Sequence, residues 1–374
     1  MGRGKYTQPL DGEQMTERTR AVAVVGFDHM HAGDFIKAIL EHPAAEICGV
    51  WDSDPRRRDM VCDDLGVPAR VRFDDVSELA ATGPDLVVVC STTHEHGVWV
   101  EYFAAQGIDV MVEKPFAVSL AEADRMISAA EKEGIRLAVN WPLAWYPVHR
   151  TTRRLIAEGR IGAVTEVHYY DGNRGPLHHL HDKKSVVGVA LEDKRSTWWY
   201  RAAEGGGSLL DYLGYGATLA TWFRDGELPT EVTTRTHVPT GDEVDEQSVT
   251  VAAYAAGLST FQTRWGTFTD PWTHQPYPRC GFVVVGTQGT IASFDYEDHV
   301  SVQTPDCPAG AQVPVDVLPL SEQNGVANFI HALDIGASVE GPISPAISRA
   351  GQCVVDAAMI SAREHRTVEL GASL

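Results

Sequence analysis

The run Ala21-Val22-Ala23-Val24-Val25-Gly26 is apolar from end to end, and Leu86-Val87-Val88-Val89-Cys90 and Val110-Met111-Val112 repeat the pattern. A strand with no polar side has no face to give to water. Such strands belong inside a parallel sheet covered by helices on both faces. A strand over about 46–51 and the run Ile135–Asn140, counted here as the sixth strand-like run, extend the series. Helices over about 34–41, after Arg58, after His96 and from Ser119-Leu120-Ala121-Glu122 alternate with them; the last opens on a capping-box pattern. Strands alternating with helices throughout 21–140 predict a doubly wound parallel sheet.

The pattern changes after Trp141. A helix over about 147–159 is followed by β-branched and aromatic runs at 163–171, 231–238, 247–256, 258–268, 281–286 and 289–295. Few helices separate the last five, so they read as hairpins, with turns at Ala256-Gly257 and Thr287-Gln288-Gly289. Helices over about 324–337 and 346–364 follow. The expected class is α/β plus α+β: a Rossmann domain over 21–142, then a domain over 143–374 built on an open-faced, mostly antiparallel sheet. Residues 1–20 are polar and read as a loose tail.

The formal net charge of −20 argues against nucleic acid and anionic membrane surfaces as partners. No apolar run approaches the roughly 18 residues of a membrane helix. Six cysteines lie scattered without a CxxC pair, so neither a zinc knuckle nor a disulfide framework is expected. Reduced cysteines suit a cytoplasmic protein.

Strand-end chemistry marks the candidate site. Gly26 closes the first strand and permits the tight turn that aims a helix at a pyrophosphate. The full dinucleotide fingerprint would place glycine also at 28 and 31, where Asp28 and His31 stand. Asp52 lies 26 residues after Gly26, near the spacing of the acid that holds a ribose 2′-hydroxyl. That favours NAD over NADP. Arg56, Arg57 and Arg58 offer a phosphate clamp or, more plainly, the exposed first turn of a helix. Val110-Met111-Val112 runs into Glu113-Lys114-Pro115, and proline ends the strand there. Lys114 thus stands outside the carboxyl end of a buried strand, where open α/β sheets bind ligands. Further along, Gly205-Gly206-Gly207 precedes a helix starting near 207. It carries Asp211 and Tyr215 at i and i+4, on one face. A phenol beside an ammonium is a candidate acid–base pair, the positive charge lowering the phenol pKa.

These features in this order resemble the glucose–fructose oxidoreductase/inositol dehydrogenase/MocA family over about 21–370. The matches are the Rossmann strand 21–26, His96, Glu113-Lys114-Pro115, a Gly159-Arg160-Ile161-Gly162 turn and Gly205-Gly206-Gly207…Asp211. The resemblance implies an NAD(P)-binding N-terminal domain, an open-faced sheet beyond it, and a homodimer or homotetramer. It implies hydride transfer between nicotinamide and a secondary hydroxyl of a sugar, glycoside or cyclic polyol. Lys114, Asp211 and Tyr215 are then the catalytic candidates, Tyr215 falling where the family usually has histidine. The arginine common after the last parallel strand falls on Ala144.

The candidate cofactor contacts are Gly26, Asp28, His29, Met30, Asp52, Ser91, Thr92, Thr93, His96, Glu113, Lys114 and Asn140. Candidate substrate contacts are His178, His179, Trp199 and Tyr215. His178-His179-Leu180-His181-Asp182 reads as a loop rather than a metal site, and no metal is expected. The aromatic pair Trp198-Trp199 suits either a sugar ring or packing between the domains, and Tyr146-Pro147 reads as a structural helix start. Rival readings are a redox-neutral glycosidase or lyase working through a transient 3-keto sugar, and a non-catalytic sugar-sensing regulator. Loops 171–200 and 268–280 follow no motif.

Overall fold

The computed structural model describes residues 18–183 and 191–371. Of the polar segment 1–20, residues 1–17 lie outside it, as does the stretch 184–190 of the loop before the triple glycine. The first half runs β1 (Arg20–Val25), α1 (Ala32–Glu41), β2 (Ala45–Trp51), α2 (Pro55–Leu65), α3 (Val76–Ala81), β3 (Leu86–Val89), α4 (His96–Ala104), β4 (Asp109–Glu113), α5 (Leu120–Glu133) and β5 (Leu137–Asn140). All pairings are parallel, in the order β2-β1-β3-β4-β5. The strand order turns at β1, which opens a crevice at the carboxyl ends of β1 and β3. Ile135–Asn140 is therefore the end of a five-stranded sheet rather than a sixth strand. The stretch after α2 pairs with β2 in a Val50–Arg72 bridge, without forming a strand of its own.

Helix starts follow their cap residues. The Asp54 side chain accepts from the Arg56 amide with Pro55 at the first helical position, and Ser119 accepts from the Glu122 amide. Glu122 in turn accepts from the Val118 amide at 3.1 Å, so the capping box closes one residue further back than the motif prescribes.

The second half runs α6 (Pro147–Ala157), β6 (Val164–Asn173), α7 (Ser208–Phe223), β7 (Glu231–His237), β8 (Gln247–Tyr254), β9 (Gly257–Trp265), β10 (Gly281–Gly286), β11 (Gly289–Phe294), β12 (His299–Thr304), β13 (Cys307–Pro314), α8 (Gly325–Ile335), α9 (Pro345–Glu364) and β14 (Val368–Glu369). Its nine strands order as β13-β12-β11-β10-β6-β9-β8-β7-β14, antiparallel except between β6 and β9. One face is covered: Tyr169, Phe261, Phe282 and Ile291 point inward and are buried.

Helix α7 packs on this face and against α9. A Cβ at Gly216 would strike the Tyr169 ring, and one at Gly214 would come 2.6 Å from the Trp141 ring. Glycine at these two positions lets the helix lie close to both the sheet and the exit from β5. α7 is thereby held where its first turns meet the end of β4. No helix among the described residues is long and apolar enough to cross a membrane.

Candidate active site

Lys114 follows the last residue of β4 and is 3% exposed, and Asp211, one turn into α7, is 5% exposed. The ammonium pairs directly with Asp211 Oδ1 and lies 3.5 Å from the Asp211 carbonyl oxygen. The indole N–H of Trp265, at the end of β9, donates to Asp211 Oδ2 at 3.0 Å. Both carboxylate oxygens thus have charged or polar donors in a desolvated setting. Lys114 Nζ stands 5.2 Å from the ring centre of Tyr215 and 5.8 Å from that of Tyr212. Lys114, Asp211 and Tyr215 line one pocket between the two sheets.

The expected lowering of the phenol pKa is overturned. Burial pushes the Tyr215 hydroxyl well above its usual range, and the nearby acids Glu113, Asp171 and Asp211 push the same way. The ammonium is already committed to Asp211 and faces the phenol ring as a cation over a π-surface.

The loop after β1 shows what stands in place of the fingerprint glycines. Gly26 has φ +81°, and a Cβ there would lie 2.6 Å from the Ser91 amide nitrogen. At the third fingerprint position His31 Nδ1 is 2.6 Å from Glu113 Oε1, while Asn140 Nδ2 donates to Glu113 Oε2 at 3.0 Å. A side-chain bridge from the loop to β4 and β5 replaces the close backbone packing that glycine would allow. His29, His31 and Glu113 bring possible ligand atoms within 4.8 Å of one another. Glu113 is met by His31 and Asn140, while His29 Nε2 is buried with no protein partner. His29 and Met30 line the same pocket as Lys114. Burial holds the His29 imidazole well below its ordinary pKa, with Lys114 adding to the effect, so it is neutral.

At the end of β2, Asp52 accepts from the Phe27 amide at 2.7 Å, the Asp54 amide at 2.6 Å and Arg57 at 2.7 and 2.9 Å. Arg57 also pairs with Asp28 at 2.7 Å. Of the three arginines only Arg56 is the exposed helix-face residue expected; Arg58 is buried and pairs with Asp74 at 2.7 Å.

Ser91, Thr92 and Thr93 are buried at the end of β3. A Cβ at Gly205 would lie 2.7 Å from Thr93 Cβ, so this glycine, at φ +89°, lets the second half dock on the first. His96 Nδ1 meets the Phe116 carbonyl oxygen at 3.2 Å, and its Nε2 is buried with no protein partner. A close glycine cradle at Gly26, the amides that start α1 and an orphaned imidazole nitrogen together suit a dinucleotide.

The substrate side was legible only in part. Trp199 lines the pocket and stacks at 3.7 Å on Trp198, and its ring is 5.0 Å from that of His29. It therefore serves both readings, pocket wall and packing between the halves. His178 and His179 do not line this pocket; His179 Nε2 instead lies 3.0 Å from Asp270 Oδ1. His181 Nε2 meets Asp64 Oδ2 at 2.9 Å across the two halves, so the histidines diverge. Ala144 is fully buried and offers no polar contact.

The pocket adds residues that no motif marked: Tyr146, Asp171, Asn173, Trp272, Asp295 and Tyr296. The Tyr146 and Tyr296 hydroxyls are 2.6 Å apart, so Tyr146 is more than a helix start. Asp171 and Asn173 continue the inward-facing alternation of Val167 and Tyr169 on β6. Polar residues at the end of an apolar alternation were the readable signal.

Residues 20–141 match the family model "Oxidoreductase family, NAD-binding Rossmann fold", and residues 149–292 match "GFO/IDH/MocA C-terminal domain". The chain is 32% identical over 152 residues to a D-apiose dehydrogenase of Rhizobium rhizogenes, covering 40% of this chain and 42% of that protein. It is 26% identical over 310 residues to a 1,5-anhydro-D-fructose reductase of Ensifer adhaerens, covering 81% of this chain and 85% of that one. The chain thus spans about two fifths of the length of the D-apiose dehydrogenases it matches. An Agrobacterium radiobacter oxidoreductase solved with NAD+, L-tartaric acid and magnesium shares the fold. Its TM-score is 0.74 at 23% identity, over 95% of this chain and 99% of that one.

Proposed function

Since the chain belongs to the GFO/IDH/MocA oxidoreductase family, we propose that it is an NAD-dependent dehydrogenase acting on a secondary hydroxyl of a sugar, glycoside or cyclic polyol. The observation that carries this reading is the meeting of Lys114 from the parallel sheet with Asp211 and Tyr215 from α7 around one pocket. NAD, when bound, supplies the hydride acceptor.

Tyr215 takes the hydroxyl proton as the carbinol carbon is oxidised. Its own pKa is high, so it gives its phenolic proton to solvent water as it takes the substrate's, and the oxidation releases one proton in all. Lys114 supplies the positive charge that steadies the developing alkoxide. Asp211 fixes the ammonium, and Trp265 fixes Asp211. The relatives named for apiose and anhydrofructose chemistry support a polyhydroxylated small-molecule substrate. NAD is favoured over NADP because a buried, fixed carboxylate at Asp52 repels a 2′-phosphate, and Arg57 is engaged by Asp28 and Asp52.

Six free cysteines support a reducing, cytoplasmic setting. Exposed Val249 and Leu258 on the uncovered sheet face support a homodimer or homotetramer. The test is a panel of sugars, inositols and glycosides with NAD and NADP, followed at the nicotinamide absorbance, on the native chain and Lys114→Ala. NADH formation by the native chain alone, with NAD binding retained in the variant, supports the assignment. Aglycone release without net NADH, or full activity in the variant, overturns it.

A further inference from the structure

Two carboxylates beyond Asp211 face the pocket: Asp171 near the end of β6 and Asp295 just after β11. They are 7% and 2% exposed. Asp171 Oδ2 accepts from the Tyr169 hydroxyl at 2.9 Å, and Oδ1 accepts from the Gly172 amide at 2.8 Å. Asp295 Oδ1 lies 2.7 Å from His149 Nε2, and His149 Nδ1 is 3.3 Å from the Ser293 hydroxyl. The donors on Asp171 are thus neutral, and Asp295 is met by one imidazole. The two lysines among the described lining residues have carboxylates of their own: Lys114 holds Asp211, and Lys183 Nζ lies 3.3 Å from Asp34.

A buried carboxylate is costly unless a cation or strong donors compensate it. Burial, and then the charge of Asp295, push the Asp171 carboxyl up to about 7. A neutral polyol leaves Asp171 to hold its own proton, and a sugar acid or phosphate adds a like charge beside the pair. An ammonium brings one positive charge and three donors. Asn173 beside Asp171 supplies an amide for neighbouring hydroxyls, and Trp272 an aromatic wall.

We propose that the substrate carries an ammonium group, as an amino sugar or aminocyclitol, with Asp171 as its counter-ion and Asp295 alongside. This rests on the dehydrogenase reading for the identity of the pocket.

The experiment titrates the NADH-loaded full chain at pH 7 by calorimetry. The probes are D-glucose, 2-amino-2-deoxy-D-glucose, 3-amino-3-deoxy-D-glucose, the N-acetyl derivative of each amine, and D-glucuronate. An amine binding at least tenfold more tightly than glucose and than its own N-acetyl form supports the proposal, as does loss of that preference in Asp171→Asn. Glucose or glucuronate binding as well as both amines overturns it, and so does a preference that Asp171→Asn leaves intact. The native-chain comparison stands even if the variant folds poorly. Amine preference in binding, with no NADH formed when the same probes and the sugar and inositol panel are given with NAD, keeps this assignment and counts against the dehydrogenase reading instead.

Discussion

Replacing Lys114 by methionine separates what its ammonium does for the fold from what it does for chemistry. Lys114 and Asp211 are 3% and 5% exposed and paired. Removing one member of a buried pair leaves the other uncompensated, at about 3–5 kcal/mol of stability. Asp211 keeps its bond from the Trp265 indole, so the lower end of that range is expected. Adding Asp211→Asn removes the stranded charge, and the amide oxygen can still accept from Trp265. The double variant should therefore return to within about 1 kcal/mol of the native stability, as replacing a whole buried pair is often neutral. Turnover behaves differently. Removing one donor aimed at a developing oxyanion costs roughly 10²–10³-fold, so both variants should lose about 3–4 kcal/mol of transition-state stabilisation at 1.36 kcal/mol per tenfold. Urea denaturation gives the first quantity, and initial rates of NADH formation give the second. Tight NADH binding, followed by fluorescence, should survive in both. A single variant that turns over normally, or a double variant no more stable than the single, refutes the argument.

Three further expectations follow from individual contacts. Trp265→Phe deletes the 3.0 Å bond to Asp211. It should lower kcat about 10–100-fold with little change in KM, since hydrogen bonds to charged groups are worth about 1.5–3 kcal/mol; an equal rise in KM would mean the indole is only packing. Gly26→Ala places a Cβ 2.6 Å from the Ser91 amide at φ +81°. Weakened NADH binding and a lower melting temperature should result, and unchanged binding would contradict the cradle. Asp171 has a folded-state pKa raised from 3.8 to about 7. The folded chain then holds a proton that the unfolded chain releases between those values, so this group's contribution falls as pH rises through the window. Asp171→Asn should stabilise the unliganded protein at pH 8 by on the order of a few kcal/mol relative to pH 4, measured by urea denaturation at both; a pH-independent difference would contradict the shift.

The parallel sheet was readable because its strands are apolar on both faces and its helices open on Asp54 and Ser119. In the second half, β6 to β11 were found as β-branched and aromatic runs, while β12 was missed although Val300 and Val302 alternate into the covered face. β13 was missed because Cys-Pro-Ala-Gly-Ala-Gln-Val-Pro carries two prolines and a glycine and covers little surface, as edge strands do. β14 has two residues, too few for any pattern. In the site, Lys114, Asp211 and Tyr215 were found because a strand end and a helical i, i+4 spacing are local facts. Their electrostatics were not local. The phenol pKa depends on Glu113 and Asp171, distant in sequence, and on burial between two sheets. The His31–Glu113–Asn140 bridge joins the start of α1 to the ends of β4 and β5, which only the folded sheet brings together. Asp295 was hidden for the same reason, since its partner His149 lies on α6.

The proposed chemistry needs one convergence, and the structure of the chain bound to NADH measures it. The nicotinamide ring should lie in the Lys114–Tyr215 pocket, with the Lys114 ammonium and the Tyr215 hydroxyl on the side from which a carbinol would approach. A ring bound elsewhere, or a Tyr215 hydroxyl turned away from it, would contradict the proposed chemistry.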